Sequence, residues 1–469
     1  RNKMMHDTLI LCCHEGVKDT KQAFGNLFSQ VDYLCKAHGI KVADKIAIQT
    51  MRRHSNSQEP LSSEDLKYDA RALAIFISAV FGMDVPHELN VLIPHTNRPY
   101  QKGLEINNRR IRCIVKNWDS DFIRVDIDQD ADEEEYLVQL KDEENHIDHT
   151  YLWDILKEGM QLNLLDCQVK QPVITPRLIV VEPDYLVDIS SIATCFTAFG
   201  HHPLLYLLNQ MKPRANTQAT LLGNFAGAAL DDIINTNGKY QMNETIKTNF
   251  REKALEFCTC PWFDAKKFYT DANQQAFNLQ QVVDILFPRT ASQAQMSAFR
   301  GESLYNRKKA ILEPSFVCEA LGIQGRVDLM TTDCKLLVEQ KSGRNMNIET
   351  HQVDPGYHSY QLEPHYVQLL LYYGVLQHNF KLSNDRVNIR LLYSKYQPQD
   401  GLMVVAYYHK LFQEAITYRN QLVAASFEIA KEGFEHALNE FTPDVLNVAG
   451  TQDFFYNKYL KPQIEAITS

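Results

Sequence analysis

Several things missing from this 469-residue sequence narrow its function before any motif is read. The longest nearly unbroken apolar stretch, Ala72 to Met83, is 12 residues, whereas a membrane helix needs roughly 20. It reads as a buried helix, and no membrane partner is expected. The opening residues, RNKMMHDTL, contain no apolar signal-peptide core, so a cytoplasmic location is expected. Ten cysteines are present but no C-x-x-C: Cys12 and Cys13 are adjacent, Cys258 and Cys260 are one residue apart, and the rest stand alone. That spacing favours reduced, buried thiols over a disulfide framework or a metal knuckle. A phosphate-cradling Gly-x-x-x-x-Gly-Lys-[Ser/Thr] is also missing, since Gly238-Lys239 runs into Tyr240. Basic excess is absent too: 48 Lys and Arg against 58 Asp and Glu give −10, which excludes a uniformly basic nucleic-acid-binding surface.

The deficit of positive charge is local. Residues 119–148 hold 13 acidic and two basic residues, a balance of −11, so the remaining chain, with 46 basic and 45 acidic residues, is near +1. A composition of 45% hydrophobic and 23% charged residues is that of a globular protein, and the length suggests about three domains. Residues 1–94 show helical periodicity, with Phe24, Leu27, Phe28, Val31 and Leu34 three and four apart and a second such run over 69–81. Residues 95–175 change to period-two alternation, with Ile111, Cys113 and Val115 on one side, which predicts a small β-barrel-like domain carrying the acidic loop. From 176 to 410, helical patterns precede strands over 312–321, 325–331 and 334–342, a helix over 361–377, and strands over 387–393 and 402–408. Residues 411–469 are again helical. The fold class expected is mixed α/β.

The chemistry lies on the central hairpin. Asp328 closes Gly325-x-x-Asp328, and Glu339 and Lys341 follow in Glu339-x-Lys341. Strand alternation puts Glu339 and Lys341 on one face and turns Leu336 and Val338 into the core, while an antiparallel neighbour brings Asp328 alongside Glu339. Two such carboxylates repel each other unless a cation lies between them, and Mg²⁺ or Mn²⁺ suits that ligand set. A lysine beside the metal, its amine pKa lowered by the adjacent positive charge and partial burial, would orient a water or, as the neutral amine, deprotonate it, the equipment of metal-assisted phosphodiester hydrolysis. Asp/Glu-x-Lys alone should occur roughly three times by chance in a chain of this composition. Adding the upstream Gly-x-x-Asp and Gln368-x-x-x-Tyr372 lowers the expectation to roughly a few in a thousand.

Together, Gly325-x-x-Asp328, Glu339-Gln-Lys341-Ser-Gly-Arg344 and His365-x-x-Gln368-x-x-x-Tyr372 resemble the signature of RecB-like nucleases of the PD-(D/E)XK superfamily. Within that family they are most similar to the nuclease module of replication helicase-nucleases and CRISPR-adaptation nucleases. The resemblance covers about residues 205–410 and implies a PD-(D/E)XK restriction-endonuclease-like core between the N-terminal helical and barrel-like regions. It implies a metal site of Asp328, Glu339 and the backbone carbonyl of Gln340, with Lys341 on the nucleophilic water and Gln368, Tyr372 and Arg344 on DNA. The substrate implied is single-stranded or flap DNA, and a helicase domain is expected after Ser469 in the same polypeptide. Where the family pattern has a metal-binding His, this chain has Gly227, and Asp231 one turn later is the candidate substitute. No cysteine follows Cys334, so the iron-sulfur cluster of many relatives is not expected. Two alternatives stay open: a degenerate nuclease fold that binds DNA or a partner without cutting, and a defence nuclease acting on duplex DNA. The Arg109, Arg110, Arg112 cluster and the Arg307–Lys309 run read as solvated surface or phosphate contacts. His201-His202 and His146/His149 lack a zinc-binding context.

Overall fold

The computed structural model describes residues 2–55, 60–98, 109–128, 135–211, 216–236, 239–382 and 387–433, then 436, 440–442, 445, 447, 457–458 and 461–468. The chain forms two units, residues 1–185 with 423–434, and residues 186–422 with 435–469. Among the described residues no helix is long and apolar enough to cross a membrane.

In the first unit, helices Asn2–Val17, Leu27–Ala37, Val42–His54 and Ser63–Phe81 bury Leu9, Cys13, Val31, Leu34, Ile48 and Phe76 in one core. The Ser63–Phe81 helix begins at a reciprocal Ser62/Asp65 capping box and stops at Gly82, whose φ of 64° needs no Cβ penalty. The apolar run that starts at Ala72 lies in this helix, which buries Ala72, Leu73, Phe76 and Val80. Strands Arg110–Trp118 and Phe122–Ile127 pair antiparallel and join a seven-stranded sheet. This sheet corrects the expectation of a barrel: it is open, with Gln168–Lys170 at one edge and Leu178–Val181 at the other. Alternation in sequence marks a strand with one buried face and says nothing about whether the two edges meet. Part of the acidic segment also proves to be internal wiring. Asp126 pairs with Lys116 at 2.7 Å and Lys45 at 3.5 Å, and Asp128 with Arg52 at 2.7 Å and Arg53 at 3.3 Å. Residues 129–134 of that segment lie outside the described residues.

The second unit is built on a five-stranded sheet in the order Ala310–Leu312, Leu329–Thr331, Leu336–Lys341, Asn388–Tyr393, Leu402–Val404. Leu336–Lys341 runs antiparallel to Leu329–Thr331 and parallel to Asn388–Tyr393. A parallel pair needs a crossover, supplied here by the helix Glu363–Phe380, whose residues 369–376 are all buried. Leu336 and Val338 pack with Phe225 and Leu230 of the Gln218–Asn235 helix and with Leu279 and Val283 of the Ala265–Leu286 helix.

The strand expected over 325–331 is broken in two. Ile323–Arg326 belongs to a three-stranded sheet with Val187–Asp188 and Ser315–Cys318, and Leu329–Thr331 to the five-stranded one. Pairing keeps one register across the break, Ser315 opposite Arg326 and Leu312 opposite Leu329. A single two-stranded ribbon therefore serves both sheets, and it bends where Glu313-Pro314 faces Val327-Asp328. Pro314 has no N–H for a ladder, and Glu313 takes a φ of 48°. The long C-terminal helix runs His409–Glu432.

Candidate active site

The pairing of Leu329 with Val338 sets Asp328 beside Glu339, just past the end of the short strand. Asp328 Oδ2 accepts the backbone N–H of Gln340 at 2.6 Å. Glu339 is 3% exposed; its Oε1 accepts Lys341 Nζ at 2.7 Å, and its Oε2 is buried with no hydrogen-bond partner. Lys341 Nζ donates a second bond, 2.8 Å, to Gln368 Oε1. The site lies at the carboxyl end of the Leu336–Lys341 strand, next to a parallel neighbour, where open α/β sheets place their ligands.

Burial and the Asp328 charge push the Glu339 carboxyl up to about 8, outweighing the Lys341 ammonium that favours ionisation. Burial also raises Asp328, opposed by the Gln340 N–H and by Lys341 and reinforced by Glu313. Asp231 is raised to about 7, first by burial and then by Glu313, Asp328 and Asp232. It therefore stands within electrostatic reach. Among the described residues, however, no three His, Cys, Asp or Glu side chains are grouped to hold a metal ion. Asp231 therefore does not form a three-carboxylate group with Asp328 and Glu339 in this structure. A Cβ built on Gly227 would meet nothing within 4 Å, so the space at this position is open.

The strand end is fixed from below by buried amides. Gln340 Nε2 donates to Ser394 Oγ at 2.6 Å, Asn278 Nδ2 to the Ser394 carbonyl at 2.9 Å, and Gln275 Nε2 to the Ser342 carbonyl at 2.9 Å. Gln275, Asn278 and Ser394 are essentially inaccessible to solvent. Sequence reading missed them because three scattered polar residues carry no pattern of their own.

Tyr372 departs from the DNA contact expected of it. Its ring is buried, and its hydroxyl donates to the Arg326 carbonyl at 2.6 Å. A Cβ on Gly325 would lie 2.9 Å from Tyr372 Cε1 and 3.1 Å from its hydroxyl, so the glycine of Gly325-x-x-Asp328 makes room for this ring. Gln368 faces inward to Lys341. His365 Nδ1 meets the Tyr393 hydroxyl at 3.0 Å, and burial, followed by the Lys341 charge, lowers this imidazole to about 4. Arg344 lies outside the cluster and pairs with Glu349.

Four of the other sequence candidates have structural partners. Arg307 Nε donates to the Ile234 carbonyl at 2.6 Å and its Nη2 to that of Ile233, closing the end of the Gln218–Asn235 helix. Arg112 pairs with Asp184 at 2.8 Å. His149 is buried against the Pro176 carbonyl, and His201 bridges Glu414 and Glu363.

No protein-family model matches the chain, and no curated protein is significantly similar to it.

Proposed function

We propose that the chain is a metal-dependent deoxyribonuclease, a phosphodiesterase of the RecB-like type that cuts single-stranded or flap DNA. The observation that supports this most is the convergence of Asp328, Glu339, Lys341 and Gln368 at one strand end, with a buried Glu339 oxygen left unpartnered. Oxygen donors of this kind fit Mg²⁺ or Mn²⁺, with Asp328, Glu339 and the Gln340 carbonyl holding the ion. Such an ion supplies Lewis acidity to the phosphate and a more acidic water. Lys341 Nζ, steered by Glu339 and Gln368, orients the water, and only as the neutral amine would it also take the water's proton. Gln340 and Asp328 keep the two carboxylates side by side, and Tyr372 holds the ribbon that carries Asp328.

Lys341→Ala and Asp328→Ala should each lower cleavage of labelled single-stranded DNA in Mg²⁺ or Mn²⁺ by roughly 10²–10⁴-fold, the usual scale for a lost acid–base group. Circular dichroism should show the fold intact. Wild-type rates in both variants would sink the reading. A second reading, a fold that binds DNA without cutting it, is favoured by the open space at Gly227 and by the lack of a three-ligand group among the described residues. It predicts salt-dependent DNA binding and no metal-stimulated product.

A further inference from the structure

The parallel strands Leu336–Lys341 and Asn388–Tyr393 end level with each other, Lys341 opposite Tyr393. The chain leaves both strands at the same edge, so Arg344 on one side and Lys395 and Tyr396 on the other emerge together. All three converge on Glu349. Its two oxygens lie 3.1 Å each from Arg344 Nε, and Arg344 Nη2 adds a further bond. Oε1 also accepts Lys395 Nζ at 3.2 Å and the Tyr396 hydroxyl at 2.8 Å. A planar guanidinium fork, an ammonium and a hydroxyl around one pair of oxygens make the donor set used for phosphate. Two cations against one carboxylate leave the cluster with a net positive charge. Its floor is rigid: Asn345 is fully buried, caps the Met346–Thr350 helix through Asn347 N and Ile348 N, and gives its own N–H to the Tyr396 hydroxyl at 2.8 Å. Above that floor Arg344 is 65% exposed, free to meet a ligand. The donors hold the Glu349 carboxyl down to about 2, Arg344 first and Tyr396 next. The cradle is therefore tuned to an anion.

We propose that Arg344, Lys395 and Tyr396 form a subsite for a backbone phosphate of the substrate strand, and that Glu349 fills it in the DNA-free protein as an internal competitor. This rests on the DNA-nuclease reading and adds Lys395, Tyr396 and Glu349 to its binding surface.

The test measures binding of a fluorescein-labelled oligothymidylate by anisotropy in EDTA across a NaCl series. Wild type, Glu349→Gln and Lys395→Ala are compared, with thermal melts to confirm folding. Glu349→Gln should bind roughly three- to fivefold more tightly, the scale of an exposed ion pair that no longer has to be broken. Lys395→Ala should bind more weakly, and the slope of log K against log [NaCl] should flatten by about 0.7, as for one lost phosphate contact on a single strand. If wild type binds and cuts DNA while both variants bind as it does, this inference falls and the nuclease reading stands. If wild type shows no salt-dependent binding, both fall.

Discussion

Glu339 is the residue on which stability and function pull apart. Folding buries its carboxyl beside Asp328 and raises it from 4.5 to about 8. Because the folded value lies above the unfolded one, the protonated form is favoured by folding. The associated stability is complete below about pH 4.5 and is lost as pH rises through about 8. Since a tenfold change in proton affinity is worth about 1.4 kcal/mol, the effect is on the order of a few kcal/mol. In EDTA, then, the Tm should fall as pH rises from 5 to 8. Glu339→Gln should flatten that dependence and raise the Tm at pH 8, while abolishing cleavage. A Tm that stays level in wild type over this range would contradict the burial argument. Glu339 and Lys341 were legible in sequence because two residues apart on a strand means one face. The pairing of Arg344 with Glu349 was not: nothing in the spacing says that the chain turns back within five residues to set a carboxylate on that guanidinium.

At the scale of elements, the helix Glu363–Phe380 and the bent ribbon determine each other's position. Gly325→Ala would drive a methyl group to 2.9 Å from Tyr372 Cε1 and 3.3 Å from Ile189 Cβ. Overpacking of this kind costs about 1–3 kcal/mol, to be read as a lower urea midpoint with unchanged slope. Combining it with Tyr372→Leu should give less than the sum of the two losses, because the clash needs both partners. The helix and the strand Leu336–Lys341 were visible from periodicity. The break at Val327-Asp328 was not, since residues on both sides alternate alike. The bend comes from Pro314 on the opposite strand, a residue whose effect is felt only once the register is known.

For the molecule as a whole, the net charge of −10 is a poor guide to what DNA would meet. Asp126 and Asp128 are consumed by Lys45, Lys116, Arg52 and Arg53 within the first unit. Asp128→Asn leaves Arg52, 9% exposed, without its charge partner, and should lower stability by ~3 kcal/mol as measured by chemical denaturation, without changing the cleavage rate. The sequence showed that the acidity was confined to one stretch. It could not show that Asp128 answers to Arg52 and Arg53, 76 and 75 residues earlier, because pairing over such distances depends on the fold. Barrel closure was illegible for the same reason.

The ribbon that belongs to two sheets has one more consequence. Its outer half is stitched to Val187–Asp188, the first strand of the second unit, and its inner half ends at the acid proposed to face the metal. A lever pivoted at Pro314 therefore runs from the unit's entry point to Asp328. A substitution in the entry strand that shifts the ribbon would shift Asp328 with it, so the site could be altered from a distance without replacing any of its residues.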